Sequence, residues 1–240
     1  MPRSFSFLAL ALWVFVALPV SAKDSPLSVP IAFEPNRGQA APAVRYLARA
    51  NGQTIFLADQ EIVLGAAKKN SNGIVRMHFV GAAATVPGAE IPTGGVVNYY
   101  LSGDIKNALT HLPLFSKVRY PSLYRGVDSV FHANGSNLEF DFELAPGATP
   151  ENIAFTFDGA DRVMGDADGG IDIQSGEFTW HLRPPQSFQA SGGRRIKVES
   201  RYSVSDAKVI SFHLGRFDRS LPLTIDPVFN IPYCSAQTTI

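Results

Sequence analysis

Three acids stand at alternate positions of one short segment, Glu139, Asp141 and Glu143. Paired carboxyls are the chemistry of glycoside hydrolysis, one acting as acid and the other as base or nucleophile. In a strand, residues two apart leave the same face roughly 6.8 Å from one another, a spacing from which rotated side chains reach either glycosidase geometry. The segment also has a simpler account. Its other positions, Leu138, Phe140, Phe142 and Leu144, are all apolar, so the acids read as the solvent-facing side of a half-buried strand. Like charges in a row then call for cross-strand Lys or Arg.

A second candidate is Asp166-Ala167-Asp168-Gly169-Gly170-Ile171-Asp172, with Glu177 at the twelfth position counted from Asp166. It partly imitates a calcium loop, with Asp166, Asp168 and Asp172 as the oxygen donors. Its fifth position is Gly170 rather than a ligand, and the sixth, where the sharp turn needs glycine, is Ile171. Asp168-Gly169-Gly170 is therefore expected to be a hairpin turn between Val163-Met164 and Ile171–Ile173, with calcium binding left as the open alternative. His78, His181 and His213 each fall on the polar side of an alternating segment. Two of them meeting across strands could share a metal, but no spacing selects a pair. Cys234 is the only cysteine, which excludes an intrachain disulfide, and its neighbours Pro232, Tyr233 and Ser235 supply no base to make a thiolate nucleophile. No nucleophile elbow, phosphate-binding loop, dinucleotide fingerprint or zinc motif occurs. The residues thus predict a non-enzymatic protein with no catalytic, cofactor-binding or metal-ligating set. Asn134-Gly135-Ser136 matches a glycosylation sequon and reads equally as a turn.

The elements that would position these residues are strands. In 240 residues, 45% are hydrophobic, enough for a sizeable core, and 21 basic residues balance 21 acidic ones, which removes the electrostatic case for nucleic acid. Residues 1–22 have the form of a signal peptide: Arg3, an apolar run from Phe5 to Val20, and small residues ending at Ala22. The run is too short for a membrane anchor, so export is expected, without a transmembrane anchor. Residues 23–43, rich in Pro and Ala, read as an extended lead-in. Residues 44–228 show period-two alternation throughout, with turn signals such as Asn51-Gly52, and residues 229–240 form a tail. Roughly a dozen short strands are expected in an antiparallel β-sandwich or barrel-like domain. Helix is confined to one turn after Thr149-Pro150-Glu151 and a short stretch from Asp104 to Thr110. Asn36-Arg37-Gly38 and Arg125-Gly126-Val127-Asp128 read as structural turns, the second bridged by Arg125 and Asp128.

Several of these segments resemble the N-terminal domain, of unknown function, of bacterial SBBP-repeat (β-propeller repeat) proteins. They are Phe33–Gln39, Val44–Ala50 with Thr54–Leu57, Asn98-Tyr99-Tyr100, Lys117–Tyr120, Tyr124–Asp128, Leu138–Phe142, Ala145–Ala148 and Pro222–Val228. The resemblance implies a secreted or cell-surface protein in which this β domain precedes propeller-type repeats, with a structural or adhesive role. It implies cell-surface components or polysaccharide as partners, and no cofactor. The alternative is a carbohydrate-binding or carbohydrate-active domain using the acidic strand 139–143. After Val228 such chains enter their first repeat, whereas this one continues Phe229-Asn230-Ile231-Pro232-Tyr233-Cys234, so 229–240 is read as divergent.

Overall fold

A computed structural model describes residues 31–68, 70–100, 108–135 and 137–231. The signal segment 1–22, the start of the lead-in, residues 104–107 of the short helical stretch, Ser136 of the sequon, and Cys234 with residues 232–240 lie outside the described residues.

Alternating apolar residues between turn formers produce strands almost everywhere. The first half of the chain contributes β1 (Phe33–Pro35), β2 (Val44–Ala50), β3 (Gln53–Ala58), β4 (Glu61–Lys68), β5 (Ser71–Phe79), β6 (Gly88–Tyr99), β7 (Leu109–Tyr124), β8 (Val127–Asn134) and β9 (Asn137–Leu144). After a 3-10 turn at Pro150–Asn152 come β10 (Ala154–Asp158), β11 (Arg162–Gly165), β12 (Ile171–Ser175), β13 (Phe178–Leu182) and β14 (Gln186–Ser191). The chain ends in β15 (Arg194–Val198), β16 (Ser200–Val204), β17 (Ile210–Leu214), β18 (Leu223–Asp226) and β19 (Val228–Asn230). Among the described residues, these nineteen strands join one antiparallel, nearly closed, barrel-like sheet. The fold class is as expected, with more strands than a dozen. The lead-in itself contributes β1, and Leu109 and Thr110 open β7 rather than closing a helix. The turn after Thr149 forms without a side-chain capping bond.

Hairpins carry most of the connectivity. Asn51 and Gly52 take positive φ of 52° and 77°, the left-handed pair that a two-residue hairpin requires. They set Ala50 opposite Gln53 and Arg49 opposite Thr54. Long-range pairing closes the sheet: β1 bridges β2 and β7, β5 pairs with β10, and β9 receives both β18 and β19 from the far end of the chain. Segments distant in sequence meet as a consequence. Glu34 on β1, 3% exposed, accepts hydrogen bonds from Arg49 on β2 and Tyr99 on β6.

The interior is a continuous aromatic packing. Phe140 is fully buried, stacked on Phe131 at 5.7 Å and on Phe229 at 5.2 Å. It meets Phe142 and Phe155 edge to face, each at 5.9 Å. Such offset and perpendicular contacts are the geometries ring quadrupoles favour. Trp180 is equally buried, its indole N–H donating to Gln53 at 2.7 Å, which removes the penalty of an unpaired donor. Leu138, Phe140, Phe142 and Leu144 all point into this core, as the alternation along β9 predicts. No helix among the described residues is long and apolar enough to cross a membrane.

Candidate functional site

The opposite face of β9 gathers charge. The β8–β9 register sets His132 against Glu139, Val130 against Asp141, and Asp128 against Glu143. On the next strand, β7, Arg119 lies beside Val130 and Lys117 beside His132. Glu143 behaves as anticipated: Arg119 binds it at 2.7 Å while also holding Asp128 at 3.0 Å and Glu90 at 2.6 Å. These hydrogen bonds keep the guanidinium charged far beyond its ordinary range, against the opposing effect of its partial burial. Arg125 and Asp128 do not bridge their turn. Asp128 instead accepts from the Ser122 backbone N–H at 2.7 Å and from Arg119.

Glu139 and Asp141 correct the expectation of a solvated face. Their side chains are only 10% and 17% exposed: β18 and β19 pair along the edge of β9 opposite β8, so its acids have neighbouring strands on both sides. Each ring nitrogen of His132 faces one of them: Nε2 is 3.0 Å from Asp141 and Nδ1 is 3.5 Å from Glu139. The hydrogen bond to Asp141 is the main cause that raises the imidazole's pKa, with burial and Lys117 opposing. Asn134 completes the group by donating to Glu139 at 2.7 Å.

A fourth carboxyl arrives from the end of the chain. Pairing of Ile225 with Phe142 brings Asp226 beside Asp141. Burial first, and then the charges of Asp141 and Glu139, push the Asp226 carboxyl up to about 7, with His132 pulling the other way. Asp141 Oδ1 and Asp226 Oδ1 are both buried with no donor among the described residues. The chemical content is a carboxyl raised to about 7 beside a second acid and an imidazole, a set able to exchange a proton near neutrality.

The second grouping lies farther along the sheet. A turn at Ser175-Gly176 pairs Asp172 with His181 across β12 and β13. The loop from Asp166 folds back so that His181 Nδ1 is 2.8 Å from Asp172 Oδ1 and 3.4 Å from Asp166 Oδ2. Asp166 Oδ1 accepts from the backbone N–H groups of Asp168 and Gly170, each at 2.8 Å. The expected hairpin is present, with Val163 opposite Ile173 and Met164 opposite Asp172. Of the calcium-loop acids, Asp166 and Asp172 converge with His181, their donor atoms within 4.8 Å of one another. Asp168 contributes its backbone N–H, and Glu177 stays outside the group. His78 sits between Glu61 at 3.6 Å and Asp158 at 3.4 Å, and His213 lies opposite Arg201.

Sequence reasoning missed His132 and Asp226. His132 was within reach, since a hairpin turning at Gly135 sets residue 132 against 139. Asp226 carries no local signal, because its partner strand lies more than eighty residues earlier.

A family model described as a domain of unknown function (DUF7948) matches residues 33–228. No curated protein and no solved structure matches the chain.

Proposed function

The chain belongs to the DUF7948 family, a domain of unknown function, and on that premise we propose that it is an exported, non-enzymatic β-rich module of a bacterial cell-surface or secreted protein, with a structural or adhesive role. The likeness to the N-terminal domain of SBBP-repeat proteins, carried by the segments from Phe33 to Val228, is part of this reading, as is export through residues 1–22. The observation that carries it is the engagement of the acidic strand. Glu139 is held by Asn134 and His132, Asp141 by His132, and Glu143 by Arg119, while rings fill the space on the other side of β9. An acid row tied down in this way serves the cohesion of the sheet and leaves its remaining surface for contact with polysaccharide or other surface components.

One observation favours a second reading, a carbohydrate-active domain: the Asp226 carboxyl, raised to about 7 beside Asp141, is suited to acid and base work near neutral pH. A single experiment separates the two. The chain is expressed with its own leader in a bacterial host, recovered from the exported fraction, and incubated with a panel of surface polysaccharides. The expected result is a mature N-terminus at Lys23, retention on one or more polysaccharides, and no release of shorter sugars. Turnover of a polysaccharide that disappears in Asp226→Asn would overturn the non-enzymatic reading, and an intact Met1 end on cytoplasmic protein would overturn export.

A further inference from the structure

We propose that Arg195 and Lys197, on the outward face of the β14–β15 hairpin, are the contact surface for an acidic polysaccharide, whose carboxylate or sulfate groups meet the two cations. The inference deepens the contact with polysaccharide stated above and rests on that reading. The chain as a whole is neutral, with 21 basic and 21 acidic residues, yet between Glu177 and Glu199 it contains no acid, while Arg183, Arg194, Arg195 and Lys197 all fall in that stretch. Three of the four stand on β15, where every residue but Val198 is exposed. Elsewhere Arg45, Arg49, Arg76, Arg119 and Arg219 each bind an acid. Among the described residues, none of the β15 cations does.

The register fixes which of them share a face. Ser187 and Gln189 on β14 are buried, so Phe188 and Ala190 leave the opposite, outward side. Lys197 stands opposite Phe188 and Arg195 opposite Ala190. Both cations therefore project outward, their backbone positions roughly 6.8 Å apart. The Arg195 guanidinium lies over the Phe188 ring, 3.4 Å from its centroid. Guanidinium donors lie in the plane of the group, so stacking holds it in place without consuming any of them. A carboxylate or sulfate arriving at the rim of that plane meets a two-pronged donor already fixed, and Lys197 adds a second charge on the same face. Thr224, the partner of Phe188 on β18, brings a hydroxyl to that face. Cations on an exposed strand also discourage pairing with other chains. That role asks for charge alone, whereas Arg195 is held flat on a ring.

The scale of the surface fits a polymer of sugars better than one of nucleotides. Duplex recognition draws on roughly 6–10 phosphate contacts, and single strands stack their bases on open aromatic faces. Here three cations share one strand, and the ring beneath them is already covered by Arg195. An acidic polysaccharide needs only a few fixed cations, because repeated engagement along the polymer multiplies a weak contact.

The test is calorimetric titration of the exported, full mature chain with polygalacturonate, dextran sulfate, neutral dextran, duplex DNA and vesicles of anionic lipid. Each is run at about 50 mM and about 300 mM salt, since exposed charges are screened at the higher value. We expect binding to polygalacturonate or dextran sulfate, the two arms identifying the acid group, with weaker binding at high salt and none to dextran. Arg195→Gln and Lys197→Gln should each weaken it at least about fivefold. Arg195→Lys keeps the charge but not the flat fork, and should also weaken it. Arg162→Gln, the same change of charge at an exposed residue of β11, should bind as the parent does, and thermal melts establish that each variant folds. Tighter binding to DNA or to vesicles than to either acidic polysaccharide, or equal losses in Arg162→Gln and Arg195→Gln, would overturn the proposal. Polysaccharide retention that ignores Arg195 and Lys197 would overturn this site and leave the wider reading standing. Failure to retain any polysaccharide would overturn both.

Discussion

Replacing Asp226 by Asn should stabilise the protein at alkaline pH and leave it nearly unchanged at acidic pH. The Asp226 carboxyl moves from its usual 3.8 to about 7 in the folded chain. The folded state therefore holds a proton that the unfolded chain has already released. Its contribution to stability is complete below the unfolded value, falls as pH rises between about 4 and 7, and is constant above that. A tenfold change in proton affinity is worth about 1.4 kcal/mol, which sets a ceiling of about 4 kcal/mol. Asp226 is only part-buried, so solvent screening reduces the expected effect to about 1–2 kcal/mol. His132 acts in the same direction. Its raised pKa means that its pairing with Asp141 stabilises below the unfolded value and is lost as pH rises through the folded one. Asn at 226 offers a permanent N–H to Asp141 Oδ1 and needs no proton. Denaturant melts of parent and Asp226→Asn at pH 5 and pH 8 give the difference, which includes the response of the neighbouring His132; titrating groups remote from Asp226 cancel in the comparison. The variant should gain about 1–2 kcal/mol at pH 8 and change by less than about 0.5 kcal/mol at pH 5. Equal destabilisation at both pH values would refute the raised Asp226 carboxyl, because it would mean that the charged carboxylate makes a favourable contact in the fold.

Phe140→Ala should lower stability by about 3–5 kcal/mol through lost burial and a residual cavity among four neighbouring rings, measured by urea melts. A loss under about 1 kcal/mol would contradict the stacking on Phe131 and Phe229. Arg119→Ala strands Glu90, Asp128 and Glu143 together and should cost about 1–2 kcal/mol in urea melts. That loss in Arg119→Ala with only a small loss in Arg119→Met would show that Arg119 acts through packing of its stem instead.

The all-β character of this protein is written locally. Alternation with period two and turn formers such as Asn51-Gly52 act over a few residues, so the inward face of β9 and the registers of the hairpins follow from the chain's own order. His132 opposite Glu139 and Asp172 opposite His181 belong to that local information, each joined through a short turn. The count of strands and the state of the acidic face do not. Glu139 and Asp141 look solvated in any local reading, since the strands that flank β9 on its second edge, β18 and β19, return from the far end of the chain. The Asp226 carboxyl is raised only when Ile225 pairs with Phe142, and Asn230 comes opposite His181 only when β19 reaches β13. Pairing of distant strands is chosen by the packing of the whole sheet rather than by either segment. Alternation assigns each polar residue to a face, and tertiary closure decides whether that face meets water or a partner charge.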